Sequence, residues 1–351
     1  MSNDAAPRIL ICRMSSVGDT VLTMPLACAL RDHFPEAHLA WLVGKNSASL
    51  IRDHRALDDV IQLEAGWSAS LSRIRATARM IHSQNFGVLI DCDGTTQSGC
   101  LGWLAAIEHR IGFSKPHSTL LNRCFNTEHV TPVFDHLTDR SLELLVPLGV
   151  HSPKVRWHFP IPAPARTWAT AWIRNSPLPK LAILDPGSGT KSKHWDPTDF
   201  AKLTRHLQSA YQYRSILCWR TAQEREFAHE IVEQSGCSAS LAPHTDLQHL
   251  AALLEQSHLF VSGDVERLHV SVALGTPTIN LHAATSEQNC DTYRQLTVQS
   301  VYDDESSHHF AGLSQSSGGK RKGPRSRAIT FEHVCDAVAE IDSKQRLLRA
   351  S

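Results

Sequence analysis

The sequence has little that would tie it to a membrane or to nucleic acid. No apolar run reaches the roughly 20 residues that a transmembrane helix needs, and the opening MSNDAAPR lacks the apolar core of a secretory signal. Lysine plus arginine and aspartate plus glutamate both number 35, so the formal net charge is zero. No overall positive field therefore favours nucleic acid. We expect a cytoplasmic protein that does not bind nucleic acid.

Motifs with metal-ligand spacing are also missing. The nine cysteines lie far apart without a C-x-x-C pair, and the 21 histidines are scattered along the chain. Closely spaced cysteines and histidines are the usual signature of zinc and redox sites. We therefore expect free thiols, as in a reducing cytoplasm, and neither a metal nor a cofactor.

The order of apolar segments predicts an α/β protein with two domains. Short apolar runs typical of buried parallel strands alternate with helical patterns in both halves of the 351 residues, and a proline-rich segment lies between the halves. We predict two doubly wound, Rossmann-like domains that face each other across a cleft. The predicted parts are an N-terminal domain at 1–158, a linker at 159–166, a C-terminal domain at 167–330 and a terminal helix at 331–351.

A stretch rich in serine and glycine at 303–327 contains the one dense basic run of the chain, KRKGPRSR. Such a composition buries little apolar surface, so we predict a disordered surface insertion. Contact of the basic run with anionic lipid is the alternative.

The first 25 residues carry the most informative pattern. The run RILIC at 8–12 predicts a buried strand, a turn of small residues ends in Gly18 and Asp19, and an apolar helical pattern follows. Ligands bind beyond the carboxyl ends of the strands in open α/β sheets, so Asp19 is a candidate site residue. A helix cap with no further role is the alternative for Asp19.

A glycine-rich segment follows the first predicted strand of the second half. It contains Ser188, Gly189 and Lys193. Small residues let backbone N–H groups approach an anion and lysine supplies charge, which predicts phosphate binding. The spacing differs from the P-loop pattern G-x-x-x-x-G-K-S/T, and a plain surface turn is the alternative.

Two more polar segments follow predicted strands of the second half. Asp264 and His269 flank the start of a helix, where backbone amides favour a diphosphate, although Glu266 places an opposing charge there. Glu224 is a candidate acceptor for ribose hydroxyls or an adenine amino group. A structural histidine and a glutamate that merely favours a helix N-terminus are the alternatives.

Together these segments resemble the bacterial heptosyltransferases of glycosyltransferase family 9, which have a GT-B fold. The opening R-I-L-I-C-R-M-S-S-V-G-D-T-V-L-T-M-P is similar to the first strand, turn and helix of the family. The segment from Gly87 to Ser98 resembles the pattern D-x-Q-G-x-x-K-S, and Lys193-His194-Trp195 resembles K-x-W. The segment at 262–277 resembles D-T-G-x-x-H…A-L-x-x-P. The resemblance covers about 8–300, and so both predicted domains.

The resemblance implies transfer of a sugar, usually heptose from ADP-heptose, to a lipopolysaccharide core acceptor with inversion and without a metal. Asp19 is then the general base that takes the proton of the acceptor hydroxyl. The implied donor-binding residues are Ser188, Gly189, Lys193, Glu224, Asp264 and His269, and the implied acceptor-side residues are Ser16, Gly18, Gln97 and Ser98.

The implied partners are a nucleotide sugar, which is a substrate rather than a cofactor, and a glycolipid acceptor. A glycolipid acceptor brings the protein, expected as a monomer, to the cytoplasmic face of the inner membrane.

Some positions depart from the family pattern. Val265 and Glu266 stand where the family has Thr-Gly, and Gln97 stands where it has a basic residue. Loss of the glycine restricts the backbone, and Glu266 repels a pyrophosphate unless it pairs with Arg267 or Lys191. An inactive or weakened homologue that serves as a binding protein is therefore the alternative to a working transferase. A nucleotide-sugar epimerase is a third hypothesis.

Overall fold

The structure, a computed structural model, describes residues 6–174, 178–187, 195–263, 265–282, 293, 296–299 and 329–350. The chain divides into two compact units. The first unit contains the chain up to Trp172 and also Leu247–Glu255 and His269–Gly275. The second unit contains the remainder.

The first unit is built around a parallel sheet of six strands. The strands are β1 (Arg8–Cys12), β2 (His38–Val43), β3 (Asp59–Gln62), β4 (Val88–Asp91), β5 (His109–Phe113) and β6 (Glu128–Val130). The helices are α1 (Val17–His33), α2 (Lys45–Ile51), α3 (Leu71–His82), α4 (Thr96–Leu104), α5 (Leu120–Phe125), α6 (Leu137–Glu143) and α7 (Ala163–Ile173), with a 3₁₀ turn at Val146–Leu148. The strands lie in the order β3-β2-β1-β4-β5-β6.

The second sheet repeats this arrangement. Its strands are β7 (Lys180–Asp185), β8 (Tyr213–Leu217), β9 (Ala239–Leu241), β10 (Leu259–Ser262), β11 (Thr278–His282) and β12 (Leu296–Gln299). The helices of this part of the chain are α8 (Pro197–Tyr211), α9 (Ala222–Gln234), α10 (Leu247–Glu255), α11 (Val265–Ala273) and α12 (Phe331–Ala350). The order β9-β8-β7-β10-β11-β12 is the same as in the first sheet when its strands are counted from β7. Both sheets therefore have the strand order of a Rossmann fold.

The strand order reverses at one place in each sheet, between β1 and β4 and between β7 and β10. In the first sheet Cys12 pairs with Asp91, so β1 and β4 end side by side. In the second sheet Ser262 pairs with Asp185, so β10 and β7 also end together. Chain segments that leave the two strands at such a point diverge and open a crevice, where α/β sheets of this kind bind ligands.

The predicted α/β class with two Rossmann-like sheets is confirmed, while several element boundaries differ from the prediction. The sequence after the prolines predicts a helix from about Arg166, whereas α7 begins three residues earlier, at Ala163. Four strands were not predicted: β5 and β6 in the first sheet and β9 and β12 in the second. Strand β5 begins with His109 and Arg110, and β6 has three residues, so neither has the apolar run that marks the buried strands. Among the described helices, none has both the length and the apolar character required to cross a membrane.

Candidate active site

The turn after β1 presents Asp19 at the point where the first sheet reverses its strand order. Ser16 caps α1, because its hydroxyl accepts a hydrogen bond from the backbone N–H of Asp19 at 3.0 Å. The cap is therefore Ser16 and not Asp19, and the Asp19 carboxylate remains 37 % exposed in the first turn of the helix. Positive potential at the helix N-terminus favours a carboxylate there. Asp19 thus has the exposure that a general base needs.

Arg13 connects Asp19 to a second carboxylate. Its Nη2 lies 2.9 Å from Asp19 Oδ2, and its Nη1 lies 3.6 Å from Asp93 Oδ1. Nη1 also donates to the carbonyl oxygen of Cys92. The side chain of Arg13 is only 9 % exposed. The buried guanidinium of Arg13 therefore lies within ion-pair distance of two aspartates that are more than 70 residues apart in the chain.

Asp93 is the more buried of the two aspartates, with a side-chain exposure of 1 %. Its Oδ2 accepts from the backbone N–H of Met14 at 3.0 Å, and its Oδ1 accepts from the Ser15 hydroxyl at 3.3 Å. Burial raises the pKa of Asp93 to about 6, the negative charge of Asp91 adds to the rise, and Arg13 opposes it. Asp93 consequently titrates near neutral pH.

A third carboxylate, Asp91 at the end of β4, is fully buried and supports the turn that follows. Its Oδ1 accepts from the backbone N–H groups of Asp93 and Gly94, both at 3.1 Å. Its Oδ2 accepts from Ser98, Asn122 and Asn126; the shortest of these bonds, from Asn122, is 2.6 Å. Burial raises the pKa of Asp91, and these hydrogen bonds oppose the rise.

The residues predicted for the acceptor side therefore lie in different surroundings. Ser16 and Gln97 are exposed, whereas Gly18 and Ser98 are buried. The Ser98 hydroxyl donates to Asp91 at 2.9 Å and so holds the turn after β4. Burial makes Ser98 a supporting residue rather than one that an acceptor can reach.

In the second unit, a buried ion pair lies where β7 and β10 end. Asp185 Oδ1 is 2.8 Å from Nη1 of Arg267, and the two side chains are 1 % and 2 % exposed. The Ser262 hydroxyl donates to the other carboxylate oxygen at 3.2 Å. Arg267 is on α11, so the pair joins the start of this helix to the sheet. Of the two partners predicted for Glu266, Arg267 thus forms a buried pair with Asp185, and Glu266 itself is exposed.

Glu224 lies beside the turn after β7. A Cβ built on Gly187 would be 3.1 Å from Glu224 Cδ and 3.4 Å from Asp185 Oδ1, so a larger residue here would fit only if the Glu224 side chain shifted. Glu224 Oε2 accepts from the backbone N–H of Arg220 at 2.7 Å, while Thr221 caps α9. The structure thus places Glu224 beside Gly187, next to the segment predicted to bind the donor, and at the N-terminus of α9.

Four predicted donor residues, Ser188, Gly189, Lys193 and Asp264, lie outside the described residues, as does the predicted insertion at 303–327. His269 is described and is buried within α11, with a relative exposure of 4 %. Across the described ranges, no group of three or more His, Cys, Asp or Glu side chains has an arrangement that could hold a metal ion.

The predicted site residues did not include Arg13, Asp93 or Asp185, and Arg267 was predicted only as a partner for Glu266. The rule that singled out Asp19 could have found the two aspartates, because Asp93 and Asp185 lie at or just beyond the ends of apolar strands. The pairs of Arg13 with Asp93 and of Arg267 with Asp185 had no local signal, since each pair joins residues that lie far apart in the sequence.

A comparison with models of protein families decides the family. The model for glycosyltransferase family 9 (heptosyltransferase) matches residues 74–317. The chain belongs to this family. The resemblance drawn from the sequence is confirmed, and this family 9 protein is a glycosyltransferase, so an epimerase gains no support.

Individual relatives are similar over most of their length. The lipopolysaccharide core heptosyltransferase OpsX of Haemophilus influenzae is 23 % identical over 88 % of this chain and 88 % of its own. The crystal structure of a family 9 glycosyltransferase from Veillonella parvula has a TM-score of 0.72 at 21 % identity, covering 84 % of this chain and 86 % of that chain. The Escherichia coli heptosyltransferase WaaC with ADP-2-deoxy-2-fluoro heptose has a TM-score of 0.67 at 21 % identity, covering 84 % and 93 %.

Proposed function

We propose that this glycosyltransferase moves a heptose from ADP-heptose to a lipopolysaccharide core acceptor, with inversion and with Asp19 as the general base. The observation that carries the proposal is the Asp19 carboxylate, which is 37 % exposed beyond the carboxyl end of β1 and paired with Arg13 at 2.9 Å. The names of two relatives supply the substrates: OpsX is a lipopolysaccharide core heptosyltransferase, and WaaC is described with a fluorinated ADP-heptose.

In the proposed reaction, a hydroxyl oxygen of the acceptor attacks the anomeric carbon of the heptose. Its proton passes to the Asp19 carboxylate, and the bond from the anomeric carbon to the diphosphate oxygen breaks on the opposite face. General-base removal of this proton contributes about 10²–10⁴ in rate in enzymes that use it. The configuration at the anomeric carbon inverts because attack and departure occur on opposite faces.

The departing ADP needs positive charge and N–H donors. We assign this role to Lys193, with Ser188, Gly189, Asp264 and His269 around the diphosphate and sugar, and Glu224 beside the nucleoside. No cofactor and no metal are part of the proposal. Because the proposed acceptor is a glycolipid, we place the reaction at the cytoplasmic face of the inner membrane.

Asp19→Asn tests the assignment of the base. Asparagine keeps the shape of the side chain but cannot take a proton, so we expect transfer from ADP-heptose to a heptose-free lipopolysaccharide core to fall by about 10²–10⁴-fold. Product formation is measured by mass spectrometry. Asp53→Asn, which changes an exposed aspartate in the segment after α2, is the matched control and keeps full activity. Near-normal transfer by Asp19→Asn rules out the proposed base.

A further inference from the structure

We propose that Asp93 is a positioning residue for the proposed base, acting through the guanidinium of Arg13 that it shares with Asp19. The inference rests on the proposed function, since it concerns Asp19 as the general base. Asp93 does not touch Asp19. Its influence is carried by Arg13 and by the turn between β1 and α1.

The first connection is electrostatic. Arg13 lies 2.9 Å from Asp19 and 3.6 Å from Asp93, and the side chains of Arg13 and Asp93 are 9 % and 1 % exposed, so water screens the charges of these two weakly. When Asp93 is ionised, it takes part of the positive potential of Arg13, and less of that potential acts on the Asp19 carboxylate. When Asp93 is protonated, the guanidinium charge is left to Asp19 alone, so Arg13 holds that carboxylate more tightly.

The second connection is mechanical. Asp93 accepts hydrogen bonds from the N–H of Met14 and the hydroxyl of Ser15, the two residues before the cap of α1. Ser16 in turn accepts from the N–H of Asp19. The ionised form of Asp93 thus fixes the chain segment that determines where the Asp19 carboxylate lies.

Other ionisable groups surround Asp93. Burial raises the pKa of Asp91 on β4 and four hydrogen bonds oppose the rise, while Arg140 on α6, which interacts electrostatically with both Arg13 and Asp19, remains a cation. The buried thiols of Cys12 and Cys92 have pKa values raised by desolvation and stay neutral. Asp93 has a pKa of about 6, so its titration falls within the pH range of the experiment below.

The position of Asp93 also separates this chain from the pattern D-x-Q-G-x-x-K-S, which has glutamine at the third place. Asp93 occupies that place here, counted from Asp91. A neutral amide cannot titrate, so the pH response described above belongs to the carboxylate of this chain.

The experiment compares single-turnover transfer rates of the full-length protein and its variants between pH 5 and pH 8. The substrates are ADP-heptose and a heptose-free lipopolysaccharide core. In the unchanged protein the rate falls as the pH drops through about 6, the pKa of Asp93. Asp93→Asn mimics the protonated form at every pH, so it lacks this fall, and its rate at pH 8 is lower by about three- to tenfold. We expect the KM for ADP-heptose to stay unchanged, since Asp93 is not among the proposed donor-binding residues.

A second variant leaves Asp93 in place. Ser15→Ala removes one donor from the ionised carboxylate, which raises the pKa of Asp93 and moves the fall to higher pH. The matched control is Asp58→Asn, which breaks another aspartate–arginine pair, that of Asp58 with Arg31 at 2.6 Å, and keeps the unchanged profile.

The outcomes are distinct. If the fall near pH 6 persists in Asp93→Asn, or stays at the same pH in Ser15→Ala, the inference is wrong. Asp19→Asn is measured in parallel and loses activity over the whole range. If Asp19→Asn retains activity, the proposed function fails, whereas loss in Asp19→Asn with an unaltered Asp93→Asn profile overturns the inference alone.

Discussion

Three aspartates near the ends of β1 and β4 differ in burial and in hydrogen-bond partners, and these differences suit them to different roles. Asp91 is fully buried and bound by five donors, so it holds the turn after β4. Asp93 is buried with two donors and a shared guanidinium, and its pKa is about 6. Asp19 is 37 % exposed and paired with Arg13. Pairs of carboxyl groups with different environments are a common basis for assigning acid–base roles.

The raised pKa of Asp93 predicts a specific dependence of stability on pH. The folded protein holds this proton up to a pH of about 6, whereas an unfolded aspartate releases it near about pH 3.9. Between these values the folded state binds more protons, so the contribution of Asp93 to the free energy of unfolding falls as the pH rises. Between pH 4 and pH 7, the free energy of unfolding of Asp93→Asn therefore rises by about 2–3 kcal/mol relative to that of the unchanged protein.

Urea unfolding of the unchanged protein and of Asp93→Asn over this pH range measures the difference between their free energies of unfolding. Titrating groups that both proteins share contribute equally and cancel in this difference. Asp58→Asn is the control with the opposite sign. Hydrogen bonds from Leu39 and Arg31 lower the pKa of Asp58, so its contribution is present above the unfolded pKa and is lost as the pH falls. A difference for Asp93→Asn that stays constant with pH would show that Asp93 does not titrate near 6.

At the residue scale, the sequence could predict positions but not partners. Asp19 was found because it follows an apolar strand and a glycine turn, which is a local pattern. The same pattern left open whether Asp19 is only a helix cap, since aspartate is a favourable cap; the structure gives that role to Ser16. The pairing of Arg13 with Asp93 spans 80 positions and depends on β1 and β4 being neighbours, which local sequence does not specify.

At the scale of elements, the ion pair of Arg267 and Asp185 fixes α11 to the end of β7. Removing one partner of a buried pair leaves an uncompensated charge, which costs about 3–5 kcal/mol. We therefore expect Arg267→Met to lower the free energy of unfolding by that amount. The double variant Asp185→Asn with Arg267→Met loses less free energy of unfolding than Arg267→Met alone. Asparagine removes the unpaired buried charge of Asp185 and can still accept a hydrogen bond from Ser262.

Urea unfolding of the two single variants and the double variant completes a mutant cycle. The exposed pair of Arg166 and Glu255, at 2.9 Å, is the matched control, and its loss costs about 0–1 kcal/mol. Additive costs for Asp185→Asn and Arg267→Met would show that the two side chains do not depend on each other.

Elements with a strong local pattern were predictable. Apolar runs predict β1, β2, β4, β7, β8 and β10, all of which form. The pattern from Leu71 to Ser83 predicts a helix, and α3 forms at Leu71–His82. The pattern from Ser141 to Leu148 predicts one helix that Gly149 ends. The structure instead has α6, which ends at Glu143, and a 3₁₀ turn that ends before Gly149, whose φ is 84°. Pro147 explains the division, because proline inside a helix removes a hydrogen-bond donor and clashes with the preceding turn.

At the scale of the whole molecule, one strand order occurs twice with different chemistry at the two places where it reverses. The first sheet has the exposed Asp19 and its arginine-linked carboxylates. The second sheet has the buried Asp185–Arg267 pair and the Glu224 side chain against Gly187. Alternation of strands and helices predicted both sheets. This alternation does not predict which sheet has the exposed carboxylate and which has the buried ion pair. The division between acceptor activation in the first sheet and donor binding in the second is therefore a proposal about side chains rather than about topology.

This division predicts that nucleotide binding and proton transfer can be lost separately. Calorimetric titration with ADP is expected to show binding, with UDP and GDP as weaker competitors. Lys193→Ala removes a charge-assisted contact and weakens ADP binding by about 10–100-fold, whereas Asp19→Asn and Asp93→Asn bind ADP as the unchanged protein does. Lys202→Ala, which removes an exposed lysine paired with Asp199 on α8, is the matched control with unchanged affinity.

If no nucleotide binds, the interpretation is that Val265 and Glu266 have closed the donor site. The protein is then an inactive homologue that binds another partner. If Asp19→Asn weakens ADP binding as much as Lys193→Ala does, the two tasks are not divided between the sheets.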